Sequence, residues 1–152
     1  MAMTMTGEVA LAAPQAVVWA RLNDPEVLKA CIPGCESLEK ISDTEFVATA
    51  KLKIGPVSAK FSGHVMLSEI DAPNGYTISG EGQGGIAGFA KGGAKVHLRP
   101  SETGTIMSYD VEAHVGGKIA QLGARLIDGV AKRLADQFFE RFAEQVGGSA
   151  EA

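Results

Sequence analysis

Three groups of residues have types and spacings that could do chemistry. Gly80-x-Gly82-x-x-Gly85, inside the stretch GEGQGGIAGFAKGG, fits the spacing of loops that cradle phosphate on backbone amides. Cys31 and Cys35 are the two cysteines, and a thiol pair can hold a metal or close a disulfide. His64, His97 and His114 are the histidines, the residue type most often used for general acid–base catalysis. The three groups imply three different proteins: a nucleotide enzyme, a metal protein and an acid–base catalyst. The elements that hold them decide among these.

A dinucleotide fingerprint follows a strand and opens a helix, because the helix N-terminus holds the pyrophosphate. Here the flanking sequence alternates with period two on both sides. Tyr76, Ile78, Gly80 and Gly82 precede the stretch on one face, and Ala94, Val96 and Leu98 follow it on the same face. The stretch is therefore read as joining two strands. No protein-kinase HRD or DFG motif accompanies it. Glycine here lets strands bend and leaves space where side chains would stand. The same alternation turns all three histidines outward, together with Glu81, Asp110 and Glu112. A Cys-x3-Cys pair with no histidine nearby falls short of the four ligands of a structural zinc site and reads as two reduced thiols.

Hydrophobic residues make up 45% of the 152, and charged residues 21%. These are ordinary values for one globular domain, read here as residues 1–147 with a flexible tail at 148–152. A formal charge of −4 argues against a nucleic-acid partner. No apolar run reaches the length of a membrane span, and the first residues lack the basic and apolar regions of a secretory signal, so a cytoplasmic location is expected.

Along the chain, MTGEVAL (5–11) reads as a first strand. Pro14 is placed in the first turn of a helix carrying Val17, Val18 and Leu22, and Asp24 as N-cap of a second short helix, PEVLKAC. Strands follow from Ser37 to Val115. Folding the chain at Gly55-Pro56 sets Ala50 opposite Phe61 and Phe46 opposite Val65, so that both apolar faces coincide. Asn74-Gly75 marks a hairpin, and the next hairpin sets Lys95 opposite Asp110. Ile119, Leu122, Leu126, Val130, Leu134, Phe138, Phe142 and Val146 then recur at helical spacing. They predict one helix of roughly 28 residues, about 42 Å long.

The inner face of the predicted sheet is rich in small residues: Ala48, Ala50, Gly63, Gly80, Gly82 and Ala94. Small residues facing a helix are compatible with close packing, but a strongly curved sheet favours an internal apolar cavity. The expected lining adds Phe61, Val65, Tyr76, Ile78, Phe89 and Tyr109 from the strands, and Leu122, Leu126 and Val130 from the helix. Tyr109 is the best buried polar group for orienting a ligand. No inner-face run combines a nucleophile with a base, so catalysis is not expected.

The order of strand, two short helices, six strands and long helix is similar to that of the START-like (SRPBCC) helix-grip fold. This is an α+β architecture with a curved seven-stranded antiparallel sheet around a long C-terminal helix. LKACIPGCESLEKI, AKLKIGPVSAKFSGHV, GEGQGGIAGFAKGGAKVHL and GGKIAQLGARLI resemble the CoxG family, the carbon monoxide dehydrogenase G-subunit family, over nearly the whole chain. The resemblance implies a non-catalytic accessory to a molybdenum-containing hydroxylase such as aerobic CO dehydrogenase. It implies an isoprenoid quinone or other lipid as ligand, no covalently bound cofactor, no metal, and peripheral contact with the inner membrane face. A polyketide-cyclase-like enzyme of the same fold and a protein-only assembly factor are the alternatives. Members of the family commonly continue beyond the long helix into a membrane-anchoring tail. This sequence ends at Ala152, so contact without a tail is the expectation.

Overall fold

The period-two segments close into one antiparallel sheet. In the computed structural model, which describes residues 2–148, β1 (Ala2–Leu11) leads into α1 (Gln15–Leu22) and α2 (Pro25–Cys31). Then come β2 (Cys35–Ser42), β3 (Glu45–Ile54), β4 (Val57–Asp71), β5 (Gly75–Gln83), β6 (Phe89–Ser101), β7 (Gly104–Gly116) and α3 (Ala124–Ala143). The strands lie in the order β1-β7-β6-β5-β4-β3-β2. The fold is α+β, a curved seven-stranded antiparallel sheet gripping a long C-terminal helix, with two short helices after the first strand. The register follows the apolar alternation: Ala50 stands opposite Phe61, Phe46 opposite Val65, and Lys95 opposite Asp110.

Local sequence sets the short elements. Asp24 caps α2, its carboxylate accepting from the Glu26 amide at 2.9 Å, and Pro25 supplies a first helical residue that has no N–H to leave unpaired. Pro14 stands at the N-cap of α1 with an extended ψ of 152°, one position before the turn it was expected to occupy. β1 begins at Ala2 rather than Met5, pairing with β7 as far as His114. The glycine stretch joins β5 to β6 through a single 3₁₀ turn, Gly85–Ala87, and no α-helix follows it.

The C-terminal helix differs from the expected continuous run. Lys118–Leu122 form a 3₁₀ turn, and Gly123 then breaks the backbone with φ +95°, a conformation that side-chain-bearing residues rarely adopt. Only the 20 residues of α3 are regular α-helix, about 30 Å. Its end widens into a π-turn, Glu144–Gly148, which brings Val146 into the core beside Phe142. Residues 149–152 of the expected tail lie outside the described residues.

Side chains pack between sheet and helices in three clusters. One joins α1, α2 and the end of α3 to β6 and β7 around Val18, Leu98, Met107 and Phe142. A second fills the opposite end with Ile54, Phe61, Ile119, Ile127 and Val130. The third, Phe46, Leu67 and Tyr76, adjoins the first through Trp19 and Val96, with Leu28 also against it. Cys31 and Cys35 are free thiols.

Candidate functional site

The packing leaves an apolar cavity of about 350 Å³ between the sheet, α1, α2 and the C-terminal half of α3. Its floor is the inner face of β3 to β7, where Ala48, Ile78 and Ala94 are short enough to leave depth. Leu22 of α1 and Leu28 of α2 wall one end, and Ala135, Phe138 and Phe139 of α3 form the roof. The roof is a connected aromatic group. Phe138 stands edge-on to Phe139 with centroids 5.1 Å apart, and its ring is nearly parallel to that of Phe142 at 5.7 Å.

Two phenols are the polar side chains of this lining. Tyr109 stacks on Phe139 at 4.9 Å and 22°. It also borders a separate crevice between β1 and α3, with the Lys132–Asp136 ion pair at its edge. Tyr76 is 6% exposed, and burial pushes its phenol well above the usual tyrosine range. The Tyr76 side chain has a ring contact with Trp19, at 5.2 Å, and no hydrogen-bond partner among the described residues. No fully buried side-chain oxygen or nitrogen among the described residues lacks a partner, so the Tyr76 oxygen keeps some access although its ring is buried. Its unpartnered hydroxyl is open to a ligand carbonyl or hydroxyl in the cavity. Among the described residues no histidine, cysteine or carboxylate lines the cavity.

The structure sorts the expected lining residues into several groups. Ala48, Val65, Tyr76, Ile78, Ala94 and Tyr109 meet around the cavity. Phe61, Leu122, Leu126 and Val130 pack together in the second cluster instead. The space therefore lies against the C-terminal half of α3, where the sequence pattern had pointed to the N-terminal half. Ala50 is half-buried opposite Phe61. Gly63 adjoins a polar depression around His64 and Glu81. Gly80 is closely packed, and a Cβ there would lie 3.1 Å from the His64 carbonyl and 3.3 Å from Val65. Phe89 is 40% exposed, and its ring occupies the place of a side chain at Gly116. The roof residues Phe138 and Phe139 were legible only in part. Phe138 lay on the expected helical stripe, but Phe139 lies beside it, and a core-facing stripe is wider than one residue per turn.

The glycines divide by what surrounds them. At Gly63 an added Cβ would meet only carbonyl oxygens at 3.7 and 3.8 Å, and at Gly82 one at 3.9 Å, so these two leave room. At Gly92 it would strike the Glu112 carbonyl, and at Gly93 the Ile78 carbonyl, so these two allow close approach of neighbouring strands. His64 stands on the outer face, 2.8 Å from Glu45. Among the described residues no group of three His, Cys, Asp or Glu side chains is placed to hold a metal, and no helix is long and apolar enough to cross a membrane.

The family model for CoxG, the G subunit of carbon monoxide dehydrogenase, matches residues 7–147. A conserved protein from Geobacillus kaustophilus is similar in structure, with TM-score 0.88, 31% identity and 97% of each chain covered. A START superfamily protein from Mycobacterium smegmatis has TM-score 0.69 at 13% identity, covering 95% of this chain and 96% of that one. The Zhui aromatase/cyclase from Streptomyces sp. R1128 has TM-score 0.66 at 12% identity, covering 96% and 94%. At those identities the last two likenesses concern the fold alone. No curated protein matches the chain.

Proposed function

The chain belongs to the CoxG family of carbon monoxide dehydrogenase, and from that premise we propose that it is a non-catalytic carrier of an apolar ligand. The ligand class is an isoprenoid quinone or another lipid with a polar head. The protein served is a molybdenum-containing hydroxylase such as CO dehydrogenase, to which the carrier gives access to membrane quinone through peripheral contact.

The observation that carries this reading is the cavity of about 350 Å³, lined by apolar side chains and two phenols. Its volume lies near the lower end of the range of about 300–1,000 Å³ for small-molecule sites. It holds a ring-sized head group and the first part of a tail. The lining supplies a hydrogen-bond donor for a carbonyl but no nucleophile–base pair for chemistry. That lining favours a carrier over a cyclase. The family description supports the hydroxylase partnership.

Native mass spectrometry of the protein purified from a quinone-containing host tests the reading. A co-purifying isoprenoid quinone or lipid is the expected result. Protein that is ligand-free and gives no calorimetric signal with several quinones would count against it. Co-elution with a molybdenum hydroxylase of the same organism is the separate test of the partnership.

A further inference from the structure

Three turns converge at the end of the molecule away from α1 and α2: the β3–β4 turn, the glycine stretch, and the 3₁₀ turn before α3. Ile54, Ala87, Ile119 and Ile127 meet there in one cluster, and an added Cβ at Gly55 would touch Leu126 at 3.0 Å. In the middle turn the usual order of burial is reversed. Ala87 is 4% exposed while its neighbour Ile86 is 92% exposed. The turn is fixed in that pose. The Ala87 amide donates to the Gly84 carbonyl at 3.2 Å, and the Gly84 amide donates to the Gly88 carbonyl at 2.8 Å. The fold thus holds an isoleucine out in water, with half-exposed Phe89 three residues on.

Charge is distributed just as unevenly. Segments 51–60, 82–93 and 115–127, which form this end, contain six Lys and Arg and no Asp or Glu. The rest of the chain has eight cations against eighteen anions. Lys60 is answered by Glu36 at 3.1 Å. Lys53, Lys118 and Arg125 are exposed and make no ion pair among the described residues.

We propose that this end is a docking surface for an anionic lipid bilayer, with Ile86 entering the interface and Lys53, Lys118 and Arg125 facing lipid phosphates. A protruding aliphatic side chain, at an end whose segments carry cations and no carboxylates, fits a fluid interface, which conforms to a protrusion and supplies negative charge. The strongly acidic remainder of the chain is repelled by the same surface, which fixes the orientation. The surface deepens the peripheral contact proposed above by giving it a place and a charge preference. It does not depend on what the cavity holds, so its failure leaves the carrier reading standing.

Flotation of the purified chain with vesicles tests it. Phosphatidylcholine alone is compared with equal parts of phosphatidylcholine and phosphatidylglycerol. The chain is expected to float with the anionic vesicles, to bind neutral ones weakly, and to be released by high salt. Ile86→Ser should weaken binding at least about tenfold, and Lys118→Glu or Lys53→Glu about fivefold or more each. Ile86 is almost fully exposed, so its substitution should leave the melting temperature unchanged; if it does not, the two lysine variants carry the test. Failure of the wild type to float with anionic vesicles overturns the proposal, as does flotation that Ile86→Ser and both lysine variants leave intact. A protein partner lost on Ile86→Ser, with no vesicle binding, overturns the lipid assignment in favour of a protein interface.

Discussion

Gly7 and Tyr109 are paired across β1 and β7, and the Tyr109 phenol lies where a side chain at position 7 would stand. The absence of a side chain at Gly7 lets the tyrosine ring lean across the edge strand while it stacks on Phe139. Gly7→Val should therefore push Tyr109 out of this position and cost about 1–3 kcal/mol, the usual range for overpacking. The collision is with one side chain, so Gly7→Val combined with Tyr109→Ala should cost less than the two single changes added together. Urea denaturation of the four proteins in the cycle measures this coupling. Additive losses would show that Gly7 serves the backbone and not the tyrosine.

Trp19 is the single tryptophan, and its ring lies 5.2 Å from that of Tyr76 in the cavity wall. A quinone in the cavity should quench its fluorescence. Tyr76→Phe removes the unpartnered hydroxyl and keeps the ring. If that hydroxyl donates to a ligand carbonyl, quinone affinity should fall about two- to tenfold, the value of about 0.5–1.5 kcal/mol for one neutral hydrogen bond. A fully apolar ligand should bind the variant as well as the wild type or better. Equal affinity of both proteins for a quinone would remove Tyr76 from ligand recognition.

Alkaline stability reports the same phenol. Burial raises the folded Tyr76 pKa above that of the unfolded chain. The unfolded chain loses this proton near pH 10 while the folded chain keeps it, so ionisation favours unfolding. The stability held in this way is present in full below about pH 10 and is lost above it, at up to about 1.4 kcal/mol per pH unit. Cys31, raised chiefly by its own burial, acts in the same direction from about pH 8.5. Denaturation midpoints from pH 7 to 11 should fall from the thiol range onward. Tyr76→Phe should flatten only the part above about pH 10. An unchanged profile in Tyr76→Phe would mean that the phenol ionises freely in the folded protein.

The strands were legible because one physical rule governs them: the inward face alternates. Phe46, Ala48 and Ala50 against Val65, Gly63 and Phe61 fix the β3–β4 register, since a slip of one residue would turn every apolar side chain outward. The Asp24 cap was legible for a similar local reason. The helix break was not. The apolar stripe from Ile119 to Leu126 keeps helical spacing through Gly123, and spacing alone does not reveal a φ of +95°. The place of the cavity was harder still. Small residues on the sheet show where a floor could be low, but whether the space stays open depends on what arrives from the other side. Phe61, Ile119 and Ile127 fill one end, while the short Ala135 leaves room at the other.

The two kinds of glycine give the most direct test of where space exists. Gly63 has no left-handed φ, and an added Cβ would meet nothing nearer than 3.7 Å. Gly63→Ala should therefore be neutral or stabilising by about 0.4–1 kcal/mol, because the unfolded chain loses freedom and the folded one meets no obstacle. Gly63→Leu extends further into whatever space lies beyond that Cβ. If that space is open, its thermal midpoint should stay near that of Gly63→Ala, and quinone binding should be little changed because Gly63 does not line the cavity. If α3 closes over the site, the leucine should cost about 1–3 kcal/mol. Gly92→Ala is the contrasting control. Its Cβ would strike the Glu112 carbonyl, a backbone atom of the neighbouring strand that cannot swing aside as a side chain can. The strands would have to part, and a loss of at least about 1–3 kcal/mol is expected from a single methyl group. Thermal melts of the three variants decide the matter. A Gly92→Ala protein as stable as the wild type would mean that β6 and β7 are less closely apposed than described. A Gly63→Leu protein that melts early while Gly63→Ala does not would mean that the inner face at that position is filled.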